Sequence, residues 1–191
     1  MMNKLTALIL SLLLCLGALL PAAAEEPVPA DVPAAAPAVS LPVSFEAYKA
    51  AYEAVLADNA PNATVTWNAV VEDGRSIRMA VINDSFVSVM VLLEEEMVTE
   101  LAVVLKADLS QETLLSFLSM SGYCGAALLV SEEVSAAEAT MTFMDELYVF
   151  FTAMTEDKTL ESLCGLPGGM SISSADNSTW QYYFALKLET K

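Results

Sequence analysis

Residues 65–82, VTWNAVVEDGRSIRMAVI, decide the fold, because apolar and polar side chains alternate on either side of a turn dipeptide. In the first half, apolar residues at odd positions alternate with Thr66 and Asn68, which is the period of a β-strand. Asp73 and Gly74 favour a two-residue turn of the primed type, whose positive φ angles suit this dipeptide. The stretch therefore predicts a β-hairpin.

More strands extend this hairpin into a sheet. Residues 86–93 are apolar at every position except Ser88, and residues 97–106 resume the alternation after three consecutive glutamates. Short connections of this kind join neighbouring strands in antiparallel order. Residues 180–188 carry aromatic or aliphatic side chains at every second position. We therefore predict a four-stranded antiparallel meander plus a C-terminal strand.

Helical spacing of apolar residues occurs before and after the meander. A first helix is expected from Ser44, a second from residues 108–110, and a third from Ser135, whose spacing to Glu138 is that of a capping box. Gly122 and Gly125 are expected to end the second helix. The third helix is expected to bury a methionine and aromatic stripe made of Met141, Met144, Tyr148 and Phe151.

The remaining segment is rich in turn-forming residues. Residues 159–163 are expected to form a turn of helix, and residues 165–169 a loop, because glycine and proline dominate that stretch. Together these elements predict an α+β fold, in which helices pack on one face of the antiparallel sheet.

The first residues have the pattern of a secretory signal peptide. Lys4 precedes an apolar stretch from Leu5 to Leu20, and alanines at positions 22–24 precede Glu25. We expect a signal peptide at residues 1–24, a Pro/Ala-rich linker at 25–43, and a single domain at 44–191, which would be secreted or located in the cell envelope. Two alternatives stay open, a retained signal anchor and a lipoprotein attached at Cys15.

Composition restricts the partners. The chain has 8 basic and 25 acidic residues and a formal net charge of −17. An acidic surface repels nucleic acid and anionic lipid, so we expect neither nucleic-acid binding nor membrane association once the signal peptide is cleaved. The charge itself serves solubility or attracts a cationic partner.

Histidine is absent from the sequence, which excludes Ser-His-Asp and Cys-His catalysis and histidine-ligated zinc. Phosphate-binding loops and calcium-binding loops have no match either. We therefore expect no catalytic residue, no metal and no cofactor. A pair of carboxylates has no linear signature, so a hydrolase or small-ligand-binding protein with an acidic site remains the alternative.

Two cysteines lie in the predicted domain, Cys124 and Cys164. Export would allow them to form a disulfide. The alternative is two free thiols, of which buried examples behave as small apolar side chains.

The third strand, apolar on both of its faces, suggests a contact surface. If Trp67, Met79, Leu101 and Phe184 point at the helices, the other face should carry apolar residues that include Ile82, Val87, Val89, Val91, Val104 and Tyr183. We expect this face to bind another protein or a second copy of the chain. The alternative is that the first helix or the linker covers it, or that the sheet curls over its own core.

Overall fold

A seven-stranded antiparallel sheet and three helices make up the part of the chain that can be described, which confirms the α+β class and the four-stranded meander. The computed structural model describes residues 42–82, 87–155, 162–174 and 179–188. The predicted signal peptide and nearly all of the predicted linker lie outside these ranges.

The elements follow the chain in the order that the sequence predicts, with two additional strands near the end. They are α1 (Phe45–Asn59), β1 (Val65–Glu72), β2 (Arg75–Ile82), β3 (Val87–Glu94), β4 (Met97–Ala107), α2 (Gln111–Ala126), α3 (Ala136–Thr155), β5 (Ser162–Leu163), β6 (Leu166–Ser173) and β7 (Trp180–Lys187). The strand order in the sheet is β1-β2-β3-β4-β7-β6-β5. Within the described ranges, β1 and β5 are therefore the sheet edges.

The predicted hairpin turn is present. Asp73 and Gly74 have φ angles of 49° and 78°, which are the paired positive values of a primed turn. The turn between β3 and β4 has the same signs of φ, at Glu95 and Glu96. Two-residue turns of this kind fix the register of the strands that they join.

The segment after α3 differs from its prediction. Ser162–Leu163, the end of the predicted helical turn, and Leu166–Ser173, which includes the predicted loop, are strands. Residues 159–161 of that turn lie outside the described ranges. The proline and glycines that suggested a loop are tolerated because Pro167 lies in an edge hairpin. Gly168 allows β6 to lie close to β7, because an added β-carbon would be only 2.7 Å from the Leu186 side chain and 3.0 Å from the Ala185 carbonyl oxygen.

The helices begin where the sequence predicts. Ser44 and Ser110 cap α1 and α2, and each side chain accepts a hydrogen bond from a backbone N–H three residues later. At α3, Ser135 and Glu138 form the predicted capping box, since Glu138 accepts the Ser135 N–H at 3.0 Å and Ser135 accepts the Glu138 N–H at 3.3 Å. No helix in the described ranges is long and apolar enough to span a bilayer.

Two glycines expected to end α2 lie inside it instead. A β-carbon added at Gly122 would overlap the Met144 side chain, and one added at Gly125 would overlap the Phe143 ring. The glycines thus allow α2 and α3 to approach closely, and packing outweighs their low helix propensity. The buried side of α3 is the one that carries Phe143, Leu147, Phe150 and Phe151. Met141 and Tyr148, which belong to the predicted stripe, are exposed instead.

We expect Gly125→Ala to destabilise the protein by about 1–3 kcal/mol, because the rigid Phe143 ring has to move out of a packed core. Gly122→Ala is the matched control. Its added methyl group meets a flexible methionine, and alanine favours the helix, so the loss should be smaller. Urea unfolding of both variants measures the difference, and equal losses would contradict this description of the contact.

Candidate functional site: the open face of the sheet

Cross-strand register assigns each sheet residue to one of two faces, because directly opposed residues in antiparallel strands point to the same side. Val89 is opposite Ala80 on β2 and Val103 on β4, and Val103 is opposite Phe184 on β7. The Phe184 ring contacts Phe143 of α3 at a centroid distance of 6.4 Å. This row therefore faces the helices.

This register corrects the interaction face predicted from the sequence. Ile82, Val87, Val89 and Val91 are buried on the helix-covered side, and Val89 is 0% exposed. Val104 and Tyr183 lie opposite each other on the other side of the sheet. An apolar pattern on both faces of β3 does not indicate which face meets the helices, so the prediction depended on the orientation of β2.

The orientation of β2 is opposite to the predicted one, in which Met79 points at the helices and Arg78 away from them. A charged residue that alternates with apolar ones is expected on the outer face. Instead, Arg78 lies on the helix side, where its guanidinium carbon is 5.5 Å from the Phe45 ring centroid and one nitrogen is 3.3 Å from a Glu96 carboxylate oxygen. A long side chain can keep its charged end in solvent while its stem covers apolar surface.

We call the other side of the sheet the open face. At its centre Met79 on β2, Met90 on β3, Ala102 on β4 and Ala185 on β7 are opposed in one continuous row. Six aliphatic or aromatic residues flank this row, and they are Val70, Ile77, Val81, Leu92, Val104 and Tyr183. The polar residues Asn68, Ser88 and Ser171 lie among them on the same face. The ring contacts that join helices to strands in the described ranges all lie on the opposite side.

Side chains on the open face are mostly half-buried rather than covered. Met79, Met90 and Leu92 have intermediate exposure, whereas Ile77, Ala102 and Ala185 are buried. Sequence reasoning missed Ile77, Met79, Met90 and Leu92 as members of this face. The available signal was the Asp73-Gly74 turn, because a two-residue loop pairs Glu72 with Arg75 and fixes which β2 residues share a face with β1.

Charges on the open face lie towards the strand ends and are balanced in sign. Two oppositely charged pairs are directly opposed, Glu72 with Arg75 and Glu100 with Lys187. Glu94 and Lys106 add one charge of each sign. The pKa of Tyr183 is raised by partial burial and by the nearby Glu100 carboxylate. In a chain of net charge −17, this face is a surface of low net charge.

Both cysteines of the candidate disulfide are free thiols in the structure. Cys124 is buried on α2, where its sulfur and its carbonyl oxygen each lie 3.2 Å from the Tyr48 hydroxyl. Burial raises the pKa of Cys124 to about 12 and that of the half-buried Cys164 to about 11. Both thiols are therefore protonated at neutral pH and are poor nucleophiles.

We expect a thiol reagent at pH 8 to modify Cys164 in the folded protein and Cys124 only after unfolding, because Cys124 is 0% exposed. The assay is the rate of modification at each cysteine, resolved by peptide mass spectrometry before and after addition of urea without reductant. Modification of Cys164 before urea is added, and of Cys124 only in urea, would agree with the structure. If neither cysteine became modifiable in urea, a disulfide would join them.

The grooves described by the structure differ in the number of charged residues that line them. A groove of about 700 Å³ lies between the end of α1 and the outer side of α2, and the charged residue in its lining is Glu112. A depression of about 550 Å³ lies at one end of the open face, beside Arg75, Glu100 and Lys187. In the described ranges, no three histidine, cysteine, aspartate or glutamate side chains are placed to hold a metal ion.

No family model, no curated protein and no solved structure matches this chain.

Proposed function

We propose that the protein is an exported, non-catalytic interaction domain that binds another protein or a second copy of itself through the open face. The observation that carries the proposal is the apolar row from Met79 to Ala185, in which the two methionines are partly exposed. It lies on the side of the sheet opposite to the ring contacts that join helices to strands in the described ranges. Contiguous apolar surface of this kind marks contact sites on proteins.

The chemistry of the face fits protein binding better than a compact polar ligand. Met79 and Met90 are opposed at its centre, and methionine is flexible and polarizable, so it adapts to the shape of a partner. An apolar centre with charges towards the ends of the strands is the arrangement of protein interfaces, in which a hydrophobic core is surrounded by a polar rim.

Charge supports the same assignment. Elsewhere the many acidic residues of the chain repel an acidic partner or a second copy. On the open face, Arg75, Lys106 and Lys187 compensate the carboxylates of Glu72, Glu94 and Glu100. Close approach of two protein surfaces therefore meets the least electrostatic opposition here.

The test compares Met90→Glu with Met141→Glu in the full chain. Met141 lies on α3 and is 63% exposed, so the control makes the same chemical change on a different surface. Native protein and both variants serve as baits against extracts and envelope fractions of the source, with quantitative mass spectrometry. We expect at least one protein, or the chain itself, to be retained by the native and Met141→Glu baits and lost by Met90→Glu. Equal retention by all three baits would contradict the proposal.

A further inference from the structure

The outer edge of β1 is an unpaired strand without the usual protection. In the described ranges, β1 pairs on one side with β2 and no strand lies on its other side. Its eight residues contain no proline, lysine or arginine, and its one charge, Glu72, is at its end. Exposed edges are normally protected by such residues or by shortening. The opposite edge shows that protection, since β5 has two residues and pairs with Pro167.

The helix layer stops short of this edge. Trp67 contacts Phe45 and Tyr52 of α1 at ring-centroid distances of 5.2 Å and 5.8 Å, but Ala69 is exposed and Val71 is 77% exposed. The second half of β1 is therefore accessible from the helix side, and an added strand would meet no described element there.

Hairpin geometry identifies the backbone groups at the edge. In a two-residue hairpin the closing pair is hydrogen-bonded, and the next residue along each strand points its N–H and C=O away from the partner strand. The β3–β4 hairpin follows this rule, because Val98, next to the closing residue Met97, donates its N–H outward to the Val43 carbonyl at 2.8 Å. With Glu72 and Arg75 as the closing pair, the outward residues of β1 are Val65, Trp67, Ala69 and Val71.

We propose that two copies of this chain pair antiparallel along β1, with a two-fold axis between the two Asn68 residues. In this register Val65 is opposite Val71 of the second copy, and Trp67 is opposite its Ala69, so all outward backbone groups on each strand are paired. Odd-numbered residues of one strand are opposite odd-numbered residues of the other, and even-numbered residues are opposite even-numbered ones. Both helix layers therefore lie on the same side of the joined sheet.

The register is also compatible with the side chains. Opposed residues on the helix side are aliphatic or aromatic, and the two Asn68 amides are able to hydrogen-bond to each other on the open face. Glu72 lies beyond the last of the four opposed pairs, so no carboxylate of β1 meets another. The pairing joins two open faces into one surface, and in this respect it extends the proposed function. The pairing itself is inferred from the unpaired edge of β1 and does not depend on the open face.

The first test is the oligomeric state of the full chain, measured by sedimentation velocity over a range of concentrations at about 0.15 M salt, where surface repulsion is screened beyond about 8 Å. Val71→Lys places a charge at the edge, and Val149→Lys is the matched control on α3, where the valine is 58% exposed. We expect a native dimer, at least tenfold weaker dimerisation for Val71→Lys and no change for Val149→Lys. A monomeric native protein, or a Val71→Lys dimer of native strength, would overturn the proposal.

The second test addresses the register. Asn68→Cys places two thiols opposite each other at the two-fold axis, where opposed β-carbons lie about 4.5–5.5 Å apart, and mild oxidation should link the copies through position 68. Thr66→Cys is the control, because its counterpart lies four residues away along the second strand. Equal cross-linking by both variants would overturn the register.

A dimer lost with Met90→Glu but kept with Val71→Lys would assign dimerisation to the open face. This result would overturn edge pairing, while the proposed function would stand.

Discussion

Val89→Glu is expected to leave the protein unfolded. Val89 is 0% exposed on β3, between Ala80 and Val103 and beneath the helices. A carboxylate in this position loses its hydration without gaining a partner, which costs several kcal/mol, comparable to the entire stability of about 5–15 kcal/mol of a typical domain. Circular dichroism and urea unfolding of the purified variant measure the effect.

The neighbouring substitution Met90→Glu is the control, and it should leave the fold intact. Met90 follows Val89 along the strand but points to the open face, where its side chain is partly exposed, so a carboxylate there reaches solvent. A cooperative unfolding transition for Met90→Glu and none for Val89→Glu is the expected pair of results. The reverse result, or equal effects, would show that the two faces of β3 have been exchanged.

Phe184→Ala is expected to cost about 3–5 kcal/mol, the range for removing a buried phenylalanine ring. Phe184 is 0% exposed and lies where β7 meets α3, edge-on to Phe143. The cavity left behind would border both the sheet and the helix layer, so neither can close it alone. Urea denaturation of the variant measures the loss, and a change below about 1 kcal/mol would contradict the packing.

A double-mutant cycle with Phe143 isolates the contact between the two rings. Paired edge-to-face rings contribute about 0.5–1.5 kcal/mol beyond their burial, so the loss for the double alanine variant should differ from the sum of the single losses. Strict additivity would show that the rings do not interact.

Local signals in the sequence predicted the elements of the fold well. The dipeptide Asp73-Gly74 specifies its turn because both residues adopt positive φ readily. Ser135 and Glu138 predicted the start of α3 because the capping box is a contact between residues three apart. Signals of this kind involve neighbours in the sequence and depend little on the rest of the molecule.

The Asp73-Gly74 turn fixes which residues of β1 and β2 share a face, but which of the two faces meets the helices depends on contacts between distant residues. Whether Val89 or Met90 meets the helices is decided by register across β2, β3 and β4. The position of Arg78 over Phe45 joins residues 33 apart in the sequence. The glycines of α2 were misread for the same reason, since the space that they leave is filled by side chains of α3.

Site-specific photo-cross-linking in cells of the source organism tests whether the open face contacts a partner. A photoreactive phenylalanine derivative replaces Met90 in one full-length variant and Met141, on the exposed side of α3, in another. We expect a discrete protein adduct, with a partner or a second copy, from position 90 and none from position 141. No adduct from position 90, with the variant folded and the probe active, would contradict it.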